Sequence, residues 1–285
     1  MIKLISYFFQ SIIIYFFFII GRILGLKVSR KLFSYIFFIF GPIFRSNKII
    51  KKNLKIFSSK RPQVKEKKII EEMWKNYGMT FIEYIFLNFF RKNDSHMSIK
   101  GQKILEEIKV KKKPVIFISG HFANFELMSM EITKNDFSLA TIYRPLNNVF
   151  LNPFMEFLRK KYICKNQIEK GLGGVREAMS YLKKNFSIAL MIDQRVSEGE
   201  NISFFGKNAL TTTLPAQLSI KLNLDIVPVF IERDINNNFI IEFYKPINNK
   251  NFKNKILLSE ELNRVLEKMI LKNPYQWIWT HNRWK

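Results

Sequence analysis

Apolar and polar positions follow three successive patterns along the chain. From Leu4 to Gly21 eighteen consecutive residues carry no charge, close to the shortest stretch that crosses a bilayer, about 17 residues. A second uncharged run, Leu32 to Phe44, has thirteen residues and contains Gly41 and Pro42, so it predicts an interfacial or packed segment rather than a span. Between Arg45 and Lys68, ten basic residues and one acidic residue, Glu66, are interleaved with Ile49, Ile50, Leu54, Ile56 and Phe57. After two aromatic-rich apolar segments, this reads as a basic amphipathic surface resting on anionic lipid. Beyond about Ser98 short apolar runs alternate with helical periodicity. Pro114 to Ser119, Ser138 to Tyr143, Phe186 to Ile192 and Asp225 to Ile231 read as buried strands. Asn148 to Tyr162, Gly174 to Lys184 and Thr212 to Leu222 read as helices. Strand and helix in alternation predict an α/β fold, a mixed but mostly parallel sheet flanked by helices, behind an N-terminal membrane-anchoring helix. The expected organisation is an anchor over 1–26, a basic helical membrane-associated region over 27–97 and a catalytic region over 98–285.

Charge fixes the expected orientation. Arg22, Lys27, Arg30 and Lys31 follow the first apolar segment, which places the following chain on the cytoplasmic side if that segment inserts. Lys3 is the only early charge and no small-residue cleavage site follows Ile20, so the segment reads as a retained anchor rather than a signal peptide.

The whole chain carries 47 Lys plus Arg against 23 Asp plus Glu, a net charge of +24 over 285 residues. With 47% hydrophobic and 15% aromatic residues it can still bury a large core. A charge excess of this size calls for an anionic partner: a phosphate-bearing lipid surface, an acidic protein or a nucleic acid. The nucleic-acid reading rests on charge alone, because no zinc-finger spacing or RNP-type aromatic signature occurs. Cys164 is the only cysteine, which excludes an internal disulfide and every multi-cysteine zinc site. The three histidines, His96, His121 and His281, lack ligand-like spacing, so no metal is expected.

Candidate chemistry gathers at strand ends. The segment PVIFISGHFANFELMSM runs from a strand through Gly120 and His121 into a helix, where open α/β sheets place their ligands. If Asn124 caps that helix, Glu126 lies in its first turn, and His121 could fold back from the loop to meet it. A carboxylate on one imidazole nitrogen would leave the other as a general base for a hydroxyl proton. Spacing alone equally allows a turn histidine with no such contact. Arg144 in YRPLNN, and Asp193 with Gln194 in LMIDQ, also follow strands, and a structural salt bridge explains either one as well. Nucleophilic catalysis has no G-x-S-x-G elbow to support it, and GLGGVRE over Gly171 to Glu177 lacks the remaining residues of a phosphate loop.

Taken in order, GHFANFE, YRPLNN, the pair Asp193–Gln194 followed by FFG at Phe204 to Gly206, TTTLPAQLSIKLNLDIVPVF and QWIWTHNRWK resemble the bacterial lipid A biosynthesis acyltransferase family. The likeness is to its late acyltransferases, which add lauroyl or myristoyl chains, within the H-x4-D/E glycerolipid acyltransferase superfamily. It runs over nearly the whole chain. The resemblance implies transfer of an acyl chain from a thioester on acyl carrier protein to a hydroxyl of a lipid A precursor, at the bacterial inner membrane with the catalytic domain facing the cytoplasm, a transfer that calls for no bound organic cofactor. It implies His121 as the base, Glu126 as its orienting acid, Arg144 near the acceptor or the oxyanion, and Asn124, Asp193 and Gln194 as further substrate-site residues. The basic run Arg45 to Lys68 and the cluster Lys109, Lys111, Lys112 and Lys113 are the expected docking surfaces for an acidic carrier. Two alternatives stand beside this reading. One is an acyltransferase for another glycolipid or a lysophospholipid, and the other is a non-catalytic basic protein that binds membrane or nucleic acid.

Overall fold

The computed structural model describes residues 2–44, 47–59 and 63–285. Helix α1 (Ile2–Phe44) is broken at Gly25, whose φ of 74° and ψ of 166° lie outside the helical region and suit a residue without a Cβ. The two halves fold back on each other. The rings of Phe17 and Phe33 have centroids 5.5 Å apart, whereas sixteen residues of straight helix would separate them by about 24 Å. Ser29 Oγ donates to the Gly21 carbonyl across the bend at 2.7 Å. The two uncharged runs therefore form one helical hairpin, with the second packed against the first. Its most apolar stretch is long enough to cross a membrane and is only 17% buried, unlike a core helix.

Helix α2 (Asn47–Ser58) is amphipathic, but its apolar side faces the protein: Ile50, Leu54 and Phe57 are fully buried. Only the lysine side of this basic segment is turned outward, with Lys51, Lys52 and Lys55 exposed. Arg45, Lys60 and Arg61 of the same basic run lie outside the described residues. Helices α3 (Glu66–Glu83) and α4 (Leu87–Lys92) follow, and α3 packs along the α1 hairpin.

The sheet domain then begins with β1 (Met97–Lys100), α5 (Gln102–Lys111), β2 (Ile116–Ser119), α6 (Glu126–Lys134) and β3 (Leu139–Tyr143). It continues through α7 (Asn152–Leu158), β4 (Asn166–Glu169), α8 (Leu172–Lys183) and β5 (Ser187–Met191). A hairpin of β6 (Glu200–Phe204) and β7 (Lys207–Thr211) precedes α9 (Leu214–Leu222), β8 (Ile226–Arg233), β9 (Phe239–Phe243) and α10 (Lys255–Lys272). Seven strands form one sheet in the order β1-β9-β8-β2-β5-β3-β4, parallel at every pairing except β8 with β9. This is the mixed, mostly parallel α/β sheet expected from the alternation of apolar runs. Its central strands β2 and β5 are buried on both faces, as parallel strands between helix layers must be. Ser119 pairs with Met191 at the carboxyl ends of these two neighbours, so whatever follows either strand is delivered to one place.

Candidate active site

His121 is the second residue beyond β2 and Asp193 the second beyond β5. The imidazole Nδ1 of His121 lies 2.7 Å from Asp193 Oδ1, and its backbone N–H donates to Asp193 Oδ2 at 2.8 Å. Trp277 Nε1 donates to the same Oδ2 at 2.8 Å, so a carboxylate that is 1% exposed receives three hydrogen bonds. Burial alone would push the Asp193 carboxyl up; the His121 charge, the two His121 hydrogen bonds and the His281 charge outweigh it and hold the group below the ordinary carboxylate range. Gly120 makes the approach feasible, since a Cβ there would sit 2.8 Å from the Phe122 ring and 3.3 Å from Asp193 Oδ2.

A carboxylate on Nδ1 requires the proton there, which leaves the Nε2 lone pair for chemistry. Gln194 Nε2 stands 3.2 Å from His121 Nε2 and 2.9 Å from His281 Nε2, between the two imidazoles. The Phe125 ring meets the His121 ring edge to face at 4.6 Å.

Glu126, which the resemblance implies as the orienting acid of His121, points elsewhere. No hydrogen bond joins it to His121; its Oε1 accepts from Tyr84 Oη at 2.6 Å and from Arg159 Nε at 2.8 Å. The cause is helical geometry. Glu126 begins α6 and projects toward the π-helical turn Arg159–Ile163, while the β5 end brings Asp193 to the ring instead. Burial disfavours the Arg159 charge, yet Glu126 and Tyr84 outweigh it and hold the guanidinium above its ordinary range. Burial and the Glu126 charge likewise push the Tyr84 phenol up.

Asn124 does not cap α6 with its side chain. Phe125 occupies that position, and Asn124 Nδ2 donates inward to Glu83 Oε2 at 2.9 Å. Glu83 is fully buried and also accepts from Arg30 at 2.6 Å and from Arg233 at 2.5 Å. Thr80 Oγ1 holds the carbonyl of Ala123 at 3.0 Å, and Ala123 adopts a φ of 43° that non-glycine residues rarely take. Helix α3 thus fixes the backbone of the His121 loop from below.

His121, Glu126, Arg144 and Gln194 line one cavity of about 640 Å³ with His281, between the α1 hairpin and the carboxyl ends of the strands. Ile14, Phe18, Phe81 and Leu190 supply apolar wall. Asp193 stands behind His121, and Asn124 behind the loop, both outside the lining. Cys164 is buried, with its thiol pushed up to about 11 by burial, which makes it a poor nucleophile. Among the described residues no three His, Cys, Asp or Glu side chains converge as a metal-ligand set.

The cluster Lys109 to Lys113 lies at the opposite end of β2 from His121, because it precedes that strand. Eight residues of extended chain from Lys113 to His121 correspond to about 26 Å. It is therefore remote from the cavity. Sequence reasoning did not single out Trp277, Arg159, Tyr84 or Glu83. Trp277 was within reach, since it belongs to the QWIWTHNRWK block, whereas Arg159 and Tyr84 carry no local motif and meet Glu126 only through the fold.

A family model described as bacterial lipid A biosynthesis acyltransferase matches residues 2–285. The chain is 24% identical to the lipid A biosynthesis palmitoleoyltransferase of Escherichia coli (strain K12) over 249 residues, 85% of this chain and 79% of the relative. It is 21% identical to the lipid A biosynthesis lauroyltransferase of the same organism over 247 residues, again 85% of this chain and 79% of the relative. Among solved structures, the 1-acyl-sn-glycerophosphate acyltransferase PlsC of Thermotoga maritima aligns with 89% of this chain and 100% of its own, at 12% identity and a TM-score of 0.43. With a match from its second residue to its last, and the strand-end motifs assembled around one cavity, the chain belongs to the bacterial lipid A biosynthesis acyltransferase family.

Proposed function

We propose that this O-acyltransferase moves a fatty acyl chain from the thioester of acyl carrier protein to a hydroxyl of a lipid A precursor, with His121 as general base and the α1 hairpin seated in a membrane. The observation that carries the reading is the His121–Asp193 pair opening onto an apolar cavity of about 640 Å³. Asp193 holds Nδ1–H and supports the imidazolium. His121 Nε2 takes the proton of the acceptor hydroxyl as its oxygen attacks the thioester carbonyl. The tetrahedral intermediate collapses with cleavage of the C–S bond, and the imidazolium returns the proton to the departing thiolate. Atoms and charge balance without an acyl-enzyme.

Arg144 and Gln194 enter the same cavity and supply donors for the oxyanion or the acceptor phosphate. The backbone N–H groups at Phe122 and Ala123 are already spent on the carbonyls of Gly120 and Gln276, which narrows the oxyanion donors to side chains and the following amides. The net charge of +24 favours an acidic carrier, a phosphorylated acceptor and an anionic leaflet alike. Both relatives are named for acyl transfer in lipid A biosynthesis, which supports the acceptor class.

The test is mass spectrometry of lipid A from cells with and without this chain, joined to a purified assay that compares acyl carrier protein and coenzyme A thioesters as donors. One added acyl chain and a lower KM for the carrier-bound donor are expected. Charge steering also predicts that the carrier-dependent rate falls as salt rises, since the Debye length shrinks from about 10 Å at 0.1 M to about 3 Å at 1 M. Unchanged lipid A together with acylation of another glycolipid or a lysophospholipid would assign a different acceptor. A preference for the coenzyme A thioester would remove the carrier from the scheme.

A further inference from the structure

The segment that follows Arg144 carries an apolar surface that the catalytic scheme does not use. Val149 is 55% exposed, Phe150 38% and Phe157 53%, all within one loop and the short helix α7. A scattered exposed apolar residue needs no explanation, but a contiguous patch does. This one is bound to the α1 hairpin. Asn148 Nδ2 donates to the Tyr7 carbonyl at 2.8 Å, Tyr15 Oη donates to the Phe150 carbonyl at 2.8 Å, and the Phe8 and Phe150 rings meet at 5.5 Å. Phe8 is itself 47% exposed and Ile12 47%, so the exposed apolar side of the hairpin meets the loop at Phe150.

The same segment also faces inward. Leu146, Leu151 and Met155 line the cavity that holds His121, so one stretch of chain has its outer side in the exposed patch and its inner side in the reaction cavity. Cations stand at its border: Lys161 Nζ lies 5.1 Å from the centroid of the Phe157 ring, and Lys160 is exposed beside it. Aromatic rings flanked by lysines suit the boundary between headgroups and acyl chains of an anionic leaflet.

We propose that residues 146–157 form a second membrane contact, continuous with the hairpin, which immerses the rim of the cavity in an anionic leaflet so that lipid reaches His121 sideways from the bilayer. The proposal rests on the membrane reading of α1 given above, and its test separates the two. An environment-sensitive fluorophore is attached to single cysteines placed by Val149→Cys, Phe157→Cys, Ile12→Cys and Val110→Cys, with Cys164 replaced by serine. The full-length protein is then reconstituted in vesicles of phosphatidylethanolamine and phosphatidylglycerol, with and without spin-labelled acyl chains. Val110 is the control, since it is 80% exposed and lies in α5, at the end of the sheet opposite the cavity. Strong quenching at 12, 149 and 157 with little at 110 is expected.

Quenching at 12 alone overturns the rim contact and leaves the anchor standing; quenching at none of the three overturns both. Cross-linking of 149 between two copies without lipid quenching would show that a second chain covers the patch. A functional arm uses Val149→Asp with Phe157→Asp, neither of which lines the cavity. This variant should raise the apparent KM for vesicle-borne acceptor about tenfold, the factor expected when apolar contact of this size is lost. Its rate on an acceptor delivered in detergent should stay close to that of the parent. Equal loss in both formats would overturn the lateral route.

Discussion

Asp193 and His121 are 72 residues apart in sequence and 2.7 Å apart at Oδ1 and Nδ1. No local turn brings them together. They meet because β2 and β5 are parallel neighbours, and a parallel sheet gathers the residues that follow its strands along one edge.

Asp193→Asn should therefore be nearly as damaging as His121→Ala. The amide keeps the shape of the carboxylate but neither fixes the tautomer nor supports the imidazolium, and kcat should fall by roughly 10² to 10⁴. Circular dichroism and membrane recovery should be unchanged for His121→Ala. Near-parental turnover by Asp193→Asn, with Glu126→Gln inactive, would hand the orienting role to Glu126.

Glu126 and Arg159 are a nearly buried pair, each side chain 11% exposed. Removing one partner leaves the other charge uncompensated, so Glu126→Gln or Arg159→Met should each cost about 3 kcal/mol of stability. The double variant should lose markedly less than the sum, which a thermal double-mutant cycle reads directly. Activity should fall through cavity shape, with the pH dependence of kcat unchanged, because neither residue touches the imidazole. A shifted pH profile would mean that Glu126 acts on His121 after all.

His96 is 5% exposed, packs against the rings of Phe89 and Phe90, and has no hydrogen-bond partner on either nitrogen. Burial, with the charges of Lys134 and Arg30, pushes its pKa down to about 4. An unfolded histidine binds its proton near pH 6.5. The folded state therefore gains from a neutral His96 above that pH and loses this gain as pH falls from about 6.5 toward about 4. The melting temperature should drop across that window, and His96→Phe should flatten the drop. Identical slopes for the two proteins would refute the assignment.

Activity should survive EDTA. The expectation follows from the scattered placement of the metal-binding residue types among the described residues, and from a proton-transfer scheme that His121 and Asp193 complete between them. Loss of turnover restored by zinc or magnesium, with lipid aggregation excluded by light scattering, would contradict it.

How much of this was legible in the sequence depended on burial. PVIFIS, SLATIY, FSIALMI and DIVPVFI sit in the interior of the sheet, where a parallel strand is apolar on both faces and reads as a continuous run. The two edges, MSIK in β1 and NQIE in β4, are partly solvated and give no such signal. The β6–β7 hairpin was hidden by its turn. Phe205 and Gly206 both adopt positive φ, 53° and 73°, and a phenylalanine occupies the first position where asparagine or glycine is the usual marker. At the site the same limit holds. His121, Glu126, Arg144, Asp193 and Gln194 are individually recognisable by their places after strands, but the H-x4-E motif implies Glu126 as the partner of His121, whereas adjacency of strands brings Asp193 to the ring.

The pairing of Ser119 with Met191 has a practical meaning beyond geometry. His121 and Asp193 each lie two residues past that pair, so a one-residue slip of either strand would move its reacting group by about 3.3 Å and turn it to the other face. No partly slipped sheet can keep a partly working dyad. If His121 and Asp193 act as proposed, catalysis is a digital readout of strand register, and the fraction of activity left during a heating series should equal the fraction of molecules whose central sheet is still in register.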